Sequence, residues 1–140
     1  MIIDALKTYI KTYAGLKALA AVFVDHLENN PTNYAIIPIA GAQVIETYVN
    51  GITIREFPFA FQSMESTADE LERLETIGFY EGFAAWLETQ SNADVLPTLG
   101  TGKTARKIQA LGWAYLYQEG QSSTGVYQIQ CKLEYRQVKI

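Results

Sequence analysis

The chain has 140 residues, 49% of them hydrophobic and 19% charged, with 11 basic against 15 acidic side chains and a net charge of −4. A chain of that length buries roughly two thirds of its unfolded surface in one domain, 1–140, without staples, and its acidic balance argues against broad nucleic-acid binding. The single cysteine, Cys131, excludes an intrachain disulfide and fits a reducing compartment, while sparse charge on so apolar a chain favours association.

The opening MIIDALKTYIK carries an acid and no long apolar core, and no run approaches transmembrane length. Neither a signal peptide nor a membrane span is expected, and the chain is expected in the cytoplasm when made. Ile2, Ile3, Leu6, Ile10 and Tyr13 recur at helical spacing opposite Lys7, Lys11 and Thr12, which predicts an amphipathic helix packed on a sheet. Gly15 is a candidate break. The Ala-rich residues that follow carry the helical expectation to about Ala20, whereas Val22-Phe23-Val24 favours an extended stretch. Residues 28–33, ENNPTN, read as a turn. Residues 34–39 read as a short strand, which Pro38 confines to a sheet edge or a strand end.

The central signal is VIETYVNGITIREFPFAFQ over 44–62, two strand-like runs around Asn50-Gly51. That pair predicts a two-residue type I′ hairpin, because both turn residues tolerate positive φ. The register that follows sets Val49 against Ile52, Tyr48 against Thr53, Glu46 against Arg55 and Val44 against Phe57. Phe57, Phe59 and Phe61 then share one side at period two and need a covering layer.

After Met64 the period becomes helical. Ser66 with Asp69, and Thr67 with Glu70, both offer capping boxes, and Asp69, Glu70, Glu72 and Glu75 sit at the positive end of the helix as a solvated face. Leu71, Leu74 and Ile77 form one apolar stripe, and Phe79, Phe83, Trp86 and Leu87 form a second. A kink at Gly78 would align the two, and the second stripe is the expected cover for the phenylalanines. A loop over 90–102 leads to alternating runs at 108–117 and 126–138, a second hairpin about the polar turn 119–125. In its last strand Tyr127, Ile129, Cys131, Leu133 and Tyr135 share one side, and Gln128, Gln130, Lys132, Glu134 and Arg136 the other. The fold class expected is α+β, a mostly antiparallel sheet of two hairpins plus a short edge strand, flanked by helices.

Chemistry is hard to find. Gly100-Thr101-Gly102-Lys103-Thr104 ends like a phosphate-binding loop, but Pro97 stands where that loop needs glycine, and a strand pattern follows where it needs a helix. Lys103, Arg106 and Lys107 read as surface charges of a glycine loop. His26 is the only histidine, which removes most nucleophile and metal arrangements, and Cys131 falls on an apolar strand side where a thiol is inert. No catalytic, cofactor-binding or metal-binding residue is assigned, and no enzyme is expected.

Four segments carry a resemblance. They are Pro31-Thr32-Asn33-Tyr34-Ala35-Ile36; Gly78-Phe79-Tyr80-Glu81 with Phe83 and Trp86-Leu87-Glu88; Leu96-Pro97 to Leu99-Gly100 with Gly102-Lys103 and Lys107-Ile108; and Tyr127-Gln128-Ile129-Gln130-Cys131. In this order they resemble a family of minor capsid or tail-completion proteins from tailed bacteriophages of Gram-positive hosts, of the tail-terminator type. The resemblance implies an α+β protein that forms a ring with itself, typically a hexamer. Such a ring caps the head-proximal end of the tail tube, stops its polymerisation and meets the head-completion or connector protein. It implies the tail tube protein as a partner, DNA only as cargo passing through the lumen, no membrane, and residence in the host cytoplasm during assembly and then in the virion at the head–tail junction. Polarity and loop position make Lys103, Arg106, Lys132, Glu134 and Arg136 the candidate partner interface. Another head–tail connector, a stopper or an adaptor, is the near alternative, and a small-molecule binding module the remote one.

Overall fold

The structure, a computed structural model, describes residues 2–16, 22–25, 27, 33–39, 44–119 and 123–138. It is an α+β fold. The elements run α1 (Ile2–Ile10), β1 (Val22–Val24), β2 (Asn33–Pro38), β3 (Val44–Thr47), β4 (Thr53–Ser66), α2 (Glu70–Asn92), β5 (Lys103–Ala110), β6 (Tyr115–Glu119) and β7 (Thr124–Gln137). These seven strands form one open sheet in the order β1-β2-β4-β7-β5, with β3 also on β4 and β6 also on β7.

The sheet is built on two strands of 14 residues each, β4 and β7, paired antiparallel from Thr53 opposite Gln137 to Ser66 opposite Thr124. Their alternation decides the layers. Phe59, Phe61, Ile129, Cys131 and Leu133 are buried on one side, where both helices lie, and Glu56, Gln62, Gln130, Lys132 and Glu134 fall on the other. The expected cover for the phenylalanines is there: the rings of Phe61 and Phe83 stack with centroids 4.6 Å apart. Trp86 plays a different part. It is half-buried and packs against Tyr9 and Tyr13 at 5.2 and 5.0 Å, tying α2 to the N-terminal segment.

Around this centre several expectations need correcting. The hairpin turn is not type I′, because Asn50 does not take positive φ while Gly51 does, at 85°. Gly51 N–H donates to Tyr48 C=O, and Tyr48 N–H donates to Ile52 C=O. This is a three-residue loop, a tight turn closed by a left-handed glycine. It shifts the register by one, so Glu46 faces Ile54 rather than Arg55, and a further irregularity puts Val44 opposite Arg55 rather than Phe57.

The strand at 34–39 is not at an edge. β1 pairs with it in parallel and β4 antiparallel, and Pro38 is tolerated because it is the last residue of β2. The strand expected at 108–117 is two strands: β5 pairs with Tyr135 to Cys131 and beyond, and β6 pairs with Gln128 to Gly125, so both lie along one side of β7, separated by residues 111–114. The first helix ends at Ile10, where the Thr12 hydroxyl donates to Tyr9 C=O at 2.6 Å and competes with the helical pattern. The helix expected to continue to about Ala20 is not continued over 11–16, which are turns and bends; residues 17–20, most of the turn at 28–33, and His26 fall outside the described residues. Tyr13 then crosses α2 at Gly82, where an added Cβ would lie 2.9 Å from the phenol oxygen.

Neither expected capping box forms. Ser66 is drawn into β4 by its partner Thr124, and Asp69 caps α2 instead, accepting from Glu72 N–H at 2.8 Å. The helix is one element through Gly78 and runs to Asn92, taking residues 90–92 from the expected loop. Its two stripes are not brought together. Tyr80, Phe83 and Leu87 are buried at helical spacing, whereas Leu71 and Leu74 are 66% and 58% exposed.

Candidate assembly interface

The sheet face away from the helices carries the polar chemistry. Gln62 Nε2 donates to Gln128 Oε1 at 2.8 Å, and Gln128 Nε2 donates to the Tyr115 hydroxyl at 2.5 Å, so one polar row crosses β4, β7 and β6. Further along, Lys132 Nζ pairs with Glu56 Oε1 at 3.0 Å across β7 and β4. Arg106, the extra residue in an irregularity of β5, reaches Glu134 at 3.9 Å. Lys132, Glu134 and Arg136 alternate along β7, so four of the five candidate interface residues, these three and Arg106, come together here. Lys103 does not join them. It opens β5 opposite Gln137, on the register side of Tyr135, beside the loop at 94–100.

Lys103 also disposes of the phosphate-loop resemblance. Gly100 and Gly102 have φ of 98° and 80°, and the chain passes from that turn into a strand, so no helix begins where a phosphate loop needs one. Among the described residues no group of His, Cys, Asp and Glu is placed to hold a metal ion, and no helix is long and apolar enough to cross a membrane. Cys131 is fully buried, and desolvation pushes its thiol well above the ordinary range, so it is a poor nucleophile. Tyr80 is also buried. Its hydroxyl shares a 2.6 Å hydrogen bond with Ser63 and lies 3.1 Å from Tyr127 C=O, and desolvation by burial holds the phenol well above its usual value, the Ser63 bond opposing in part.

A groove of about 670 Å³ runs between α2 and β5, with Ile77, Glu81, Glu88, Lys107, Leu111 and Trp113 among its walls. Its floor includes a feature that sequence reasoning missed. The Ser91 hydroxyl donates to Ile108 C=O at 2.6 Å and accepts from Ile108 N–H at 2.9 Å, closing the outer backbone edge of β5 with the end of α2. A serine near a helix end gives no sequence signal for such a contact.

Among the described residues the exposed large apolar side chains are not scattered. Val44, Ile45, Tyr48 and Val49 lie on the first hairpin; Leu111, Trp113, Tyr115, Leu116 and Tyr117 lie on and before β6; Leu71, Leu74 and Ile77 line the first half of α2; only Val95 stands apart. The sequence did hold a signal for the second group, since Tyr115-Leu116-Tyr117 is an unbroken apolar run that a one-faced strand cannot bury. Compared with known proteins, the chain matches no protein-family profile and no curated protein sequence.

Proposed function

We propose that this chain is a structural virion protein of a long-tailed bacteriophage. It closes into a ring, a hexamer in the simplest case, on the head-proximal end of the tail tube, stops tube growth and offers its other side to a head-completion protein. The observation that carries the reading, beside the four resembling segments, is where the spare apolar surface lies. It sits on two strand edges and one helix face, the geometry of a subunit made to be covered by neighbours.

A ring binds the last layer of a tube through many weak contacts at once, so each contact can be modest while the assembled cap dissociates very slowly. The open sheet face with Lys132, Glu134 and Arg136, together with residues 99–107, the turn before β5 and its first half, is the surface assigned to the tube protein. Six copies carry six times −4, or −24, and an acidic lumen lets DNA pass without adhering. Deleting the gene from a producing phage and imaging the lysate tests the role. Overlong, headless tails are expected, and tails of normal length on filled heads would exclude it.

A small-molecule binding module is the second reading, favoured by the groove beside Trp113. A compound that stays with the protein through purification and is released only on denaturation would favour it over the cap.

A further inference from the structure

We propose that copies of this chain join head to tail, the outer edge of β3 in one copy pairing with the outer edge of β6 in the next. The inference rests on the ring proposed above and names the contact that builds it. Among the described residues β3 is bonded on one side only, to β4 at Thr53–Arg55. β6 is likewise bonded on one side only, to β7 at Gly125–Gln128. Every residue of both strands is exposed, so two rows of backbone donors and acceptors face outward beside apolar side chains. The contrast with β5 is informative. There the Ser91 hydroxyl occupies both outward backbone groups of Ile108. That rim is plugged at Ile108, whereas among the described residues no strand pairs with the outer edges of the two apolar rims.

The two open rims suit each other in direction, position and chemistry. β3 runs opposite to β4, and β6 runs opposite to β7, which itself runs opposite to β4. Two copies placed side by side in one orientation therefore present antiparallel strands, the commoner pairing. The rims are at diagonal corners of the sheet: β3 lies level with Thr53–Arg55, and β6 lies level with the part of β4, Gln62 to Glu65, that faces Gln128 to Gly125. Each step to the next copy is then roughly 30 Å along the strands and about 20 Å across them, along the sheet's diagonal and clear of β1. Val44, Ile45 and Thr47 are β-branched, and Tyr115 and Tyr117 are aromatic, a favoured cross-strand combination. Pairing β3 with β3 would instead bring two Glu46 carboxylates together and leave both β6 rims uncovered. Only the head-to-tail contact consumes both rims in every copy, and when its rotation closes it makes a ring.

Disulfide trapping tests this with two single variants, Ile45→Cys and Tyr117→Cys, one lengthened by a tag so that mixed and like pairs separate by size. Cys131 is fully buried and does not compete. Mild oxidation of the mixture is expected to give the mixed disulfide in about tenfold excess over either like pair, as a heterologous contact requires. The double variant is expected to give a ladder that stops at the ring number. Like pairs through position 45 in equal or greater amount overturn the head-to-tail contact. Rings seen by light scattering without a mixed disulfide overturn it too, while leaving the ring standing. A monomer with no crosslink at any concentration overturns both. Ile45→Lys gives an independent reading, since it is expected to break the ring into smaller species with the circular dichroism unchanged, and an intact ring overturns the proposal.

Discussion

The central strands β4 and β7 and the rim strands β3 and β6 are made of the same kinds of residue, aromatic and β-branched, yet they end in opposite environments. Phe59, Phe61, Ile129 and Leu133 are sealed under α2, with a bonded neighbour on each side of their strands. Val44, Ile45, Tyr115 and Tyr117 face water from strands that, among the described residues, are bonded on one side. The difference teaches that residue type does not decide burial in this chain; lane position does. A strand in the middle of the sheet meets a helix on one face, whereas a strand at a corner lies beyond the reach of the helices and must borrow its cover.

The largest expected effect comes from breaking the sealed centre. Phe61→Ala removes a fully buried ring stacked on Phe83 and is expected to cost about 3–5 kcal/mol. Trp86→Ala should cost less, because that ring is only half-buried. Urea denaturation of both variants checks the order, and a Trp86→Ala loss equal to or above that of Phe61→Ala contradicts the packing described.

Burial in the centre also sets an alkaline limit. The folded values of Tyr80 and Cys131 are raised above 10.0 and 9.0, first by desolvation. In the unfolded chain these groups lose their protons near their ordinary values, so their contribution is fully present below pH 9 and is lost as the pH climbs past 9 and 10. Tyr80→Phe leaves the Ser63 hydroxyl and Tyr127 C=O without that partner, and is expected to cost about 1–3 kcal/mol at neutral pH. The same variant should lose stability more slowly than the parent above pH 10. Parallel stability curves across that range would count against a buried Tyr80.

At the plugged rim, Ser91→Ala frees both outward groups of Ile108. A loss of about 1–2 kcal/mol is expected, together with concentration-dependent aggregation absent from the parent, because a further stretch of edge is opened. Unchanged solubility would mean that the plug is not needed. The smallest effect lies outside the sheet: Asp69→Ala removes the α2 cap and is expected to cost about 1 kcal/mol, read as a shift in the thermal midpoint.

What the sequence made legible follows the same division. The period-two phenylalanines and the alternation at 126–138 were enough for the two central strands and the face each side chain takes, since a slip of one residue there would expose the whole core. The rims obey weaker rules. No burial pins β3, so its register was open to the turn: one left-handed residue, Gly51, rather than two moved the pairs nearest the turn by one, and an irregularity moved Val44 by two. The break between β5 and β6, the exposed stripe of Leu71, Leu74 and Ile77 and the Ser91 contact depend on where neighbouring elements stop. Local periodicity does not carry that. The candidate interface divides likewise: Lys132, Glu134 and Arg136 were placed on one face by alternation alone, Arg106 joins them only through an irregularity in β5, and Lys103 falls elsewhere.

The claim that the open rims belong to neighbouring copies is met most directly by multi-angle light scattering of the purified chain across a wide concentration range. The account predicts one closed oligomer, a hexamer in the simplest case, whose mass does not grow further as concentration rises. A monomer at every concentration would contradict it, and so would a mass that keeps increasing without a plateau.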